Sequence, residues 1–197
     1  MELFLCRHGQ TEHNDNEIVQ GQMDSKINGR GKEQAKELRD RLAEENIDKV
    51  YSSSMTRALE TAEIVAEPHD VEIEEIEELK EVARAKFEGE QFEDMIEEIT
   101  SSETEDYLWK PKGGESLEEL KERGVKFLNS IKGEQEGEKI IAISHGGTIS
   151  STILGILEHS SKNSYRIKQE NCNINKLTWN AEEGWSIHSV NDISHLS

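Results

Sequence analysis

Residues 139–147 have the sequence Lys-Ile-Ile-Ala-Ile-Ser-His-Gly-Gly. The four apolar residues Ile140–Ile143 are not interrupted by a polar side chain, which is typical of a central strand covered on both faces of a sheet. His145 follows this strand, and the residues from about Gly147 to Leu157 predict a helix. A buried strand that leads directly into a helix indicates an α/β fold rather than a helical bundle or a β-sandwich.

The same alternation of strands and helices extends in both directions from this segment. Apolar runs predict further strands at Leu3–Cys6, Lys49–Ser52, Val71–Ile76, Lys176–Trp179 and Trp185–Val190. Helical spacing predicts helices at about 31–45, from a Ser54 cap to Ala66, at about 92–99, and from Ser116 to Ile131 after a Ser116–Glu119 capping box. No internal repeat or linker is found, so the 197 residues predict one domain.

The charge of the chain is strongly acidic and unevenly distributed. It has 42 acidic and 23 basic residues, and 17 of the acidic residues lie between Glu67 and Asp106. We interpret this acidic run as a solvated face rather than a specific docking site. Such a surface repels phosphate backbones and anionic lipids, which argues against nucleic acid and membranes as partners.

No segment has the pattern of a signal peptide or a membrane-spanning helix. The start, Met1–His8, lacks a basic flank and a long hydrophobic stretch, and nothing approaches about 18 consecutive apolar residues. These features predict a cytoplasmic protein. Cys6 and Cys172 are too few and too far apart in sequence to indicate a metal site or a disulfide framework.

The residues best suited to chemistry follow the ends of predicted strands. Arg7 and His8 come after the first strand, Arg57 lies in the first helical turn after the second, and His145 ends the strand that begins at Lys139. Ligands of open α/β sheets bind at this edge, where helix N-termini also point, so an anion is expected there. Two histidines and two arginines suit phosphoryl transfer, and no Walker loop is present.

A set of motifs in a fixed order then identifies a family resemblance. The motifs are Leu5–Asn14 with its Arg-His-Gly core, Gln20-Gly21, Ser52–Ala58, Glu81, Gly113–Ser116 and Ser144–Gly147. In these residues the chain resembles the histidine phosphatase superfamily, also called the phosphoglycerate mutase-like family. The resemblance implies a three-layer α/β/α sandwich with a central, mostly parallel sheet. It also implies a single histidine phosphatase domain over residues 1–197, with an acidic helical cap insertion at about 82–112.

The resemblance further implies a role for each matching residue. His8 is expected to be the nucleophile that receives the phosphoryl group, with Arg7, Arg57 and a cationic His145 holding its oxygens. Glu81 is expected to protonate the leaving oxygen and then activate water. Asn14 is expected to add a neutral donor, and Gln20, Gly21 and Gly146 to line the substrate site. No metal or other cofactor is expected.

The loop that follows Glu81 departs from the family pattern. Ala85 stands where relatives commonly have Gly four residues after the catalytic Glu, so the loop is expected to take a different backbone path. We interpret the nearby Arg84 and Lys86 as a solvated basic pair, although contact with a second anionic group of the substrate remains an alternative.

The function predicted by these features is hydrolysis of small phosphorylated metabolites, through a phosphohistidine and without a metal ion. Mutases of the superfamily usually carry an Arg-His-Tyr-Gly element after the acid and Asn after the second His-Gly, whereas this chain has Val82–Ala85 and Gly147. A phosphoglycerate mutase is therefore the second hypothesis, and a non-enzymatic module that binds phosphate esters is the third. The partner is a small phosphorylated metabolite, and the state of assembly, monomer or homodimer, stays open.

Overall fold

A central sheet of six strands organises the computed structural model, which describes residues 1–132 and 137–197. The strands are β1 (Glu2–Arg7), β2 (Lys49–Ser52), β3 (Ile73–Glu75), β4 (Lys139–Ser144), β5 (Ile174–Asn180) and β6 (Gly184–Asp192). Their order is β3-β2-β4-β1-β5-β6. The first four strands run parallel to one another, β5 pairs antiparallel with β1, and β6 pairs antiparallel with β5. The predicted bounds of β2 are confirmed to the residue, and β4 begins at the predicted Lys139 and ends directly before His145.

Strand β4 lies at the centre because its side chains suit burial on both faces. Ile140–Ile143 are completely buried, and β4 pairs in parallel with β1 and β2 on its two sides. Ile141 and Ile143 belong to one apolar core, and Ile140 and Ala142 belong to the other. The period of two along a strand therefore divides one apolar run between two cores.

Helices cover both faces of the sheet, and the expected three-layer α/β/α architecture is confirmed. The helices are α1 (Glu12–Asp15), α2 (Gly29–Leu42), α3 (Thr56–Ala66), α4 (Phe92–Ser101), α5 (Leu117–Ile131) and α6 (Gly146–Ile156), with short 3-10 helices at Glu77–Leu79, Ala85–Phe87 and Ser161–Arg166. Helices α2 and α3 pack on one face of the sheet, and α5 and α6 on the other. None of the described helices is long and apolar enough to cross a membrane.

One of the two predicted helix caps is confirmed and the other is not. The Ser116 hydroxyl accepts from the Glu119 amide and the Glu119 carboxylate accepts from the Ser116 amide, so the predicted capping box is confirmed. The prediction of Ser54 as the cap of α3 is wrong, because Met55 occupies that position without a side-chain hydrogen bond. The Ser54 hydroxyl donates instead to Glu77.

A third, smaller apolar cluster lies under helix α4. It contains Val19, Phe87, Met95 and Trp109, with Ile99 packed against it. Ala85, in the loop that leads to this cluster, has a φ of 49°. Ala85 therefore adopts the left-handed conformation that Gly takes more easily, and a path different from that of relatives stays a prediction.

Candidate active site

His8 continues from strand β1 and is held as a neutral imidazole. Its amide donates to the carbonyl of Ser144, and its ring is 2% exposed. The ring Nδ1 lies 2.7 Å from the carbonyl oxygen of Gly9. Because a carbonyl can only accept, Nδ1 carries the proton and Nε2 keeps its lone pair. Burial, then the charges of Arg57 and Arg7, hold the pKa of His8 well below its ordinary value.

Arg57 is a buried cation whose guanidinium is fixed by backbone carbonyls. It is 1% exposed, and its two terminal nitrogens donate to the carbonyl oxygens of Met23 (2.9 Å) and Gly21 (2.8 Å). Burial lowers its pKa to about 10, so it stays charged at neutral pH. Its Nε is buried and has no hydrogen-bond partner within the described parts of the chain.

The guanidinium of Arg7 is likewise fixed by a backbone carbonyl. Its Nη1 donates to the carbonyl of Gln169 at 2.6 Å, and its backbone amide donates to the side chain of Asn173. Its Nε, like that of Arg57, is buried without a partner among the residues described. Each guanidinium thus keeps one buried N–H donor that its surroundings do not satisfy.

His145 lies beside His8, with the ring centroids 5.0 Å apart. It is completely buried, and its Nε2 is 2.8 Å from the hydroxyl of Ser53, a residue that the sequence analysis gave no role. Burial, then Arg57, holds the pKa of His145 well below its ordinary value. A lowered pKa favours the neutral form of the ring, and the cationic role of His145 stays a prediction.

Glu81 faces the N-terminus of helix α6. One carboxylate oxygen accepts from the amide of Gly147 (3.1 Å), and the other accepts from the amide of Val82 (2.9 Å) and lies 3.4 Å from the hydroxyl of Thr148. A Cβ added to Gly147 would come within 2.6 Å of the carboxylate. The lack of a side chain at this glycine therefore lets the carboxylate approach the helix end closely.

A cavity of about 230 Å³ brings most of the predicted site residues together. Its lining includes Arg7, His8, Asn14, Gln20, Gly21, Arg57 and Glu81. His145, whose ring lies beside that of His8, is not part of this lining. Gly146 lines a neighbouring cavity of about 600 Å³ instead.

The loop residues that line the cavity form hydrogen bonds mainly with other loop residues. The Asn14 side-chain oxygen accepts from the amide of Thr11, which leaves its NH₂ group as the available donor. The Gln20 side-chain oxygen accepts from the hydroxyls of Thr11 and Ser25. Gly21 has a φ of 50° and presents its carbonyl to Arg57. Gln20 and Gly21 therefore position the loop and the guanidinium.

Arg84 and Lys86 have different surroundings, so the prediction of a solvated pair is wrong for Arg84. Lys86 forms an ion pair with Glu98 at the surface. Arg84 lines both cavities, and no described carboxylate forms an ion pair with it. Burial lowers its pKa, and the charge of Glu81 acts in the opposite direction.

The sequence analysis missed the support that the C-terminal part gives to the site. Asn171 donates to the carbonyl of His8 (2.9 Å), and Asn175 donates to the carbonyl of Leu5 (2.9 Å). Asn171, Asn173 and Asn175 alternate along the chain and all are buried. Buried asparagines at every second position are unusual in a strand, and this signal could have drawn attention to the segment.

Thr61 provides similar support from helix α3. Its hydroxyl donates to the carbonyl of Arg57 and accepts from the amide of Gly9.

The described residues contain no group of three or more His, Cys, Asp or Glu side chains arranged to hold a metal ion.

Comparisons with known proteins agree with this geometry. The model of the histidine phosphatase superfamily (branch 1) matches residues 3–193. A probable phosphoglycerate mutase, GpmB, of Salmonella choleraesuis is 30% identical over all of this chain and 95% of its own length. A mutant phosphoserine phosphatase of Entamoeba histolytica, solved with phosphoserine, is 29% identical, with a TM-score of 0.88 and coverage of 100% and 99% of the two chains. Bacillus stearothermophilus YhfR is 24% identical, and the match covers 100% of this chain and 99% of YhfR. It shares the fold with a TM-score of 0.90.

Proposed function

This chain belongs to the histidine phosphatase superfamily, and we propose that it hydrolyses small phosphomonoesters through a phosphohistidine on His8, without a metal ion. The observation that carries the proposal is the state of His8. Its Nδ1–H is bound to the Gly9 carbonyl, and burial together with the nearby charges of Arg57 and Arg7 lowers its pKa. A nucleophile for phosphorus needs a free lone pair and cations nearby, and His8 has both.

The first step transfers the phosphoryl group to the enzyme. His8 Nε2 attacks phosphorus while the bond between phosphorus and the ester oxygen breaks. The protonated carboxyl of Glu81 gives its proton to the departing oxygen, so the product leaves as an alcohol. In the second step Glu81 takes a proton from water, the water oxygen bonds to phosphorus, and the N–P bond of His8 breaks.

The unsatisfied donors around His8 suit the charge that develops on the phosphoryl oxygens. The Nε atoms of Arg7 and Arg57 and the Nδ1 of His145 are buried without partners among the residues described. Phosphoryl transfer depends mainly on positioning and on neutralising spreading charge. A phosphate dianion beside His145 would also raise the pKa of this ring, so we propose that it becomes the expected cationic donor when substrate binds.

A phosphoglycerate mutase is the second candidate, because the GpmB relative carries that description at 30% identity. The phosphoserine phosphatase is 29% identical, so overall similarity does not separate the two reactions. Val82–Ala85 and Gly147, in place of the usual mutase elements, favour hydrolysis. The acidic residues around the site also favour a substrate with one phosphate group over a polyanion.

The test is hydrolysis of phenyl phosphate with excess chelator, followed by rapid quenching with radiolabelled substrate. We expect turnover and an acid-labile, base-stable label on wild-type protein, and neither on His8→Ala. His159→Ala is the matched control, because His159 is exposed and distant from the cavity linings. Turnover without a trapped label would contradict the phosphohistidine, and loss of turnover with chelator would contradict the metal independence.

Labelled 3-phosphoglycerate separates the remaining alternatives. Release of inorganic phosphate supports the phosphatase, and conversion to 2-phosphoglycerate supports the mutase. Binding of phosphate esters in calorimetry without any product would instead support the binding module.

A further inference from the structure

The site has a second chamber whose walls are largely apolar. This cavity, of about 600 Å³, opens next to Arg7 and Glu81. One wall is formed by Phe92, Met95, Ile96 and Ile99 of helix α4, and the facing wall includes Tyr165 and Ile167. Phe92 is 49%, Ile96 39% and Tyr165 60% exposed, values that are high for large apolar side chains. Exposed apolar groups that gather on one concave surface indicate a binding site.

The amphipathic pattern of helix α4 places its apolar residues on the wall of the chamber. Its apolar residues recur at positions 92, 95, 96 and 99, which form one stripe of the helix. Met95 is buried against the cluster of Phe87 and Trp109, whereas Phe92 and Ile96 stay exposed in the chamber. The other positions are strongly acidic, with Glu93, Asp94, Glu97 and Glu98. An apolar wall of this kind attracts a hydrophobic group.

The chamber is continuous with the cavity at His8. Arg7, Glu81, Arg84, Phe92, Met95 and Gly147 line both spaces. A phosphate at His8 therefore has its ester oxygen near Glu81, and the carbon skeleton attached to that oxygen extends toward α4.

Some polar groups that line the chamber are already bonded within the protein, and others are charged. The Ser150 hydroxyl lies within hydrogen-bond distance of the carbonyl oxygens of Gly146 and Ile167 and donates its one proton to either of them. The Gln169 side-chain oxygen accepts from Asn173 and Asn175, which leaves its buried NH₂ group as a free donor among the described residues. Arg84, Asp106 and Lys168 also line the chamber. The hydroxyls of a sugar that met the apolar walls would lose hydration without regaining hydrogen bonds.

We infer that the enzyme is selective for phosphomonoesters of apolar alcohols, with an alkyl or aryl group that packs on Phe92, Ile96 and Tyr165. This inference rests on the proposed phosphatase function and names the substrate class of the same site. The apolar group contributes binding energy, while the chemistry at phosphorus is the same for every ester.

The test is a series of linear alkyl phosphates from propyl to heptyl, whose leaving alcohols have nearly constant acidity. We expect kcat/KM to rise roughly two- to fourfold with each methylene until the chamber is filled. Glycerol 1-phosphate, which is close in size to butyl phosphate but carries two hydroxyls, is expected to be the poorer substrate. A flat series, or a preference for glycerol 1-phosphate, would overturn the inference and leave the phosphatase proposal intact.

Two variants connect the series to the chamber. Phe92→Ser and Ile96→Ser should each reduce the increase in kcat/KM per methylene, so that the loss relative to wild type grows with the length of the alkyl chain. Leu108→Ser is the matched control, because Leu108 is 46% exposed but does not line the chamber, and it should keep the wild-type series. Equal slopes in Ile96→Ser and Leu108→Ser would overturn the assignment of this wall.

A binding measurement keeps the inference testable without turnover. Alkylphosphonates cannot be hydrolysed, and calorimetry should show their affinity for wild-type protein rising with chain length. If no ester is hydrolysed but the affinities rise in this way, the phosphatase proposal fails while the apolar chamber stands. If the affinities are independent of chain length, the chamber is not a ligand site.

Discussion

Replacing Gly147 by Ala tests whether the close approach of Glu81 to helix α6 matters for catalysis. The new Cβ would lie 2.6 Å from one carboxylate oxygen of Glu81 and 3.3 Å from its carboxyl carbon. The same carboxylate accepts a hydrogen bond from the Gly147 amide at 3.1 Å. The methyl group therefore displaces the carboxylate and weakens the bond that orients it.

The size of the effect follows from the displacement. Ordinary contact begins at 3.4 Å, so the oxygen must move by about 0.8 Å from its 2.6 Å position. A misplacement of about 1 Å can reduce a rate by about 100-fold. We expect kcat/KM to fall by about 10- to 100-fold, or about 1.4–2.7 kcal/mol of transition-state stabilisation. Folding should suffer little, because Ala is favoured over Gly in helices by up to about 1 kcal/mol.

The assay compares esters with good and poor leaving groups. If Glu81 protonates the departing oxygen, Gly147→Ala should impair an alkyl phosphate more than 4-nitrophenyl phosphate, which needs less acid assistance. Gly29→Ala is the matched control, since Gly29 begins helix α2 and its added Cβ meets no atom within 4 Å. Equal kcat/KM in the two variants would refute the reasoning. Glu81→Asp should lose less activity in the Gly147→Ala background than alone, because the shorter side chain avoids the methyl group.

Three further predictions concern stability and the support of His145. Because burial lowers the pKa of His145, the unfolded chain binds a proton at this ring more readily than the folded protein does. The free energy of unfolding should therefore fall as the pH drops below about 6.5, by up to about 1.4 kcal/mol per pH unit. The urea midpoint of His145→Asn should depend less on pH than that of wild type. Ala85→Gly should raise the free energy of unfolding by about 0.5–1 kcal/mol by relieving the positive φ, whereas Ala181→Gly, at an exposed turn position without one, should not. Ser53→Ala should lower kcat/KM about 10-fold by removing the partner of His145 Nε2, and Ser54→Ala should leave kcat/KM within about twofold of wild type.

The sheet was predictable because its strands carry local signals. Ile140–Ile143 form an apolar run bounded by polar residues, and their burial on both faces needs no long-range information to predict. The stripe of α4 and the capping box of α5 are equally local. The contacts of Ser53 and Ser54 were not predictable, because they depend on the partners that folding brings near, His145 and Glu77.

The missed support of the site has the same physical origin. Asn171 and His8 are separated by 163 positions in the chain, and only the pairing of β5 with β1 brings them together. Arg84 was misjudged because acidic neighbours in sequence suggested solvent, whereas the fold turns its side chain toward the cavities. Motifs located the reacting groups, but the groups that hold them in place come from segments without a motif.

The burial of the two histidines connects the chemistry of the site to its cost in stability. A surface histidine would be partly protonated near its ordinary pKa and would lose the lone pair that attacks phosphorus. Burial and the nearby charges of Arg57 and Arg7 keep His8 neutral, but burial also holds donors on both guanidinium groups away from water without partners. Unsatisfied buried donors destabilise the fold by about 1–3 kcal/mol each. A bound phosphate would restore these hydrogen bonds, so the arrangement that weakens the empty protein is the one that prepares it for an anion.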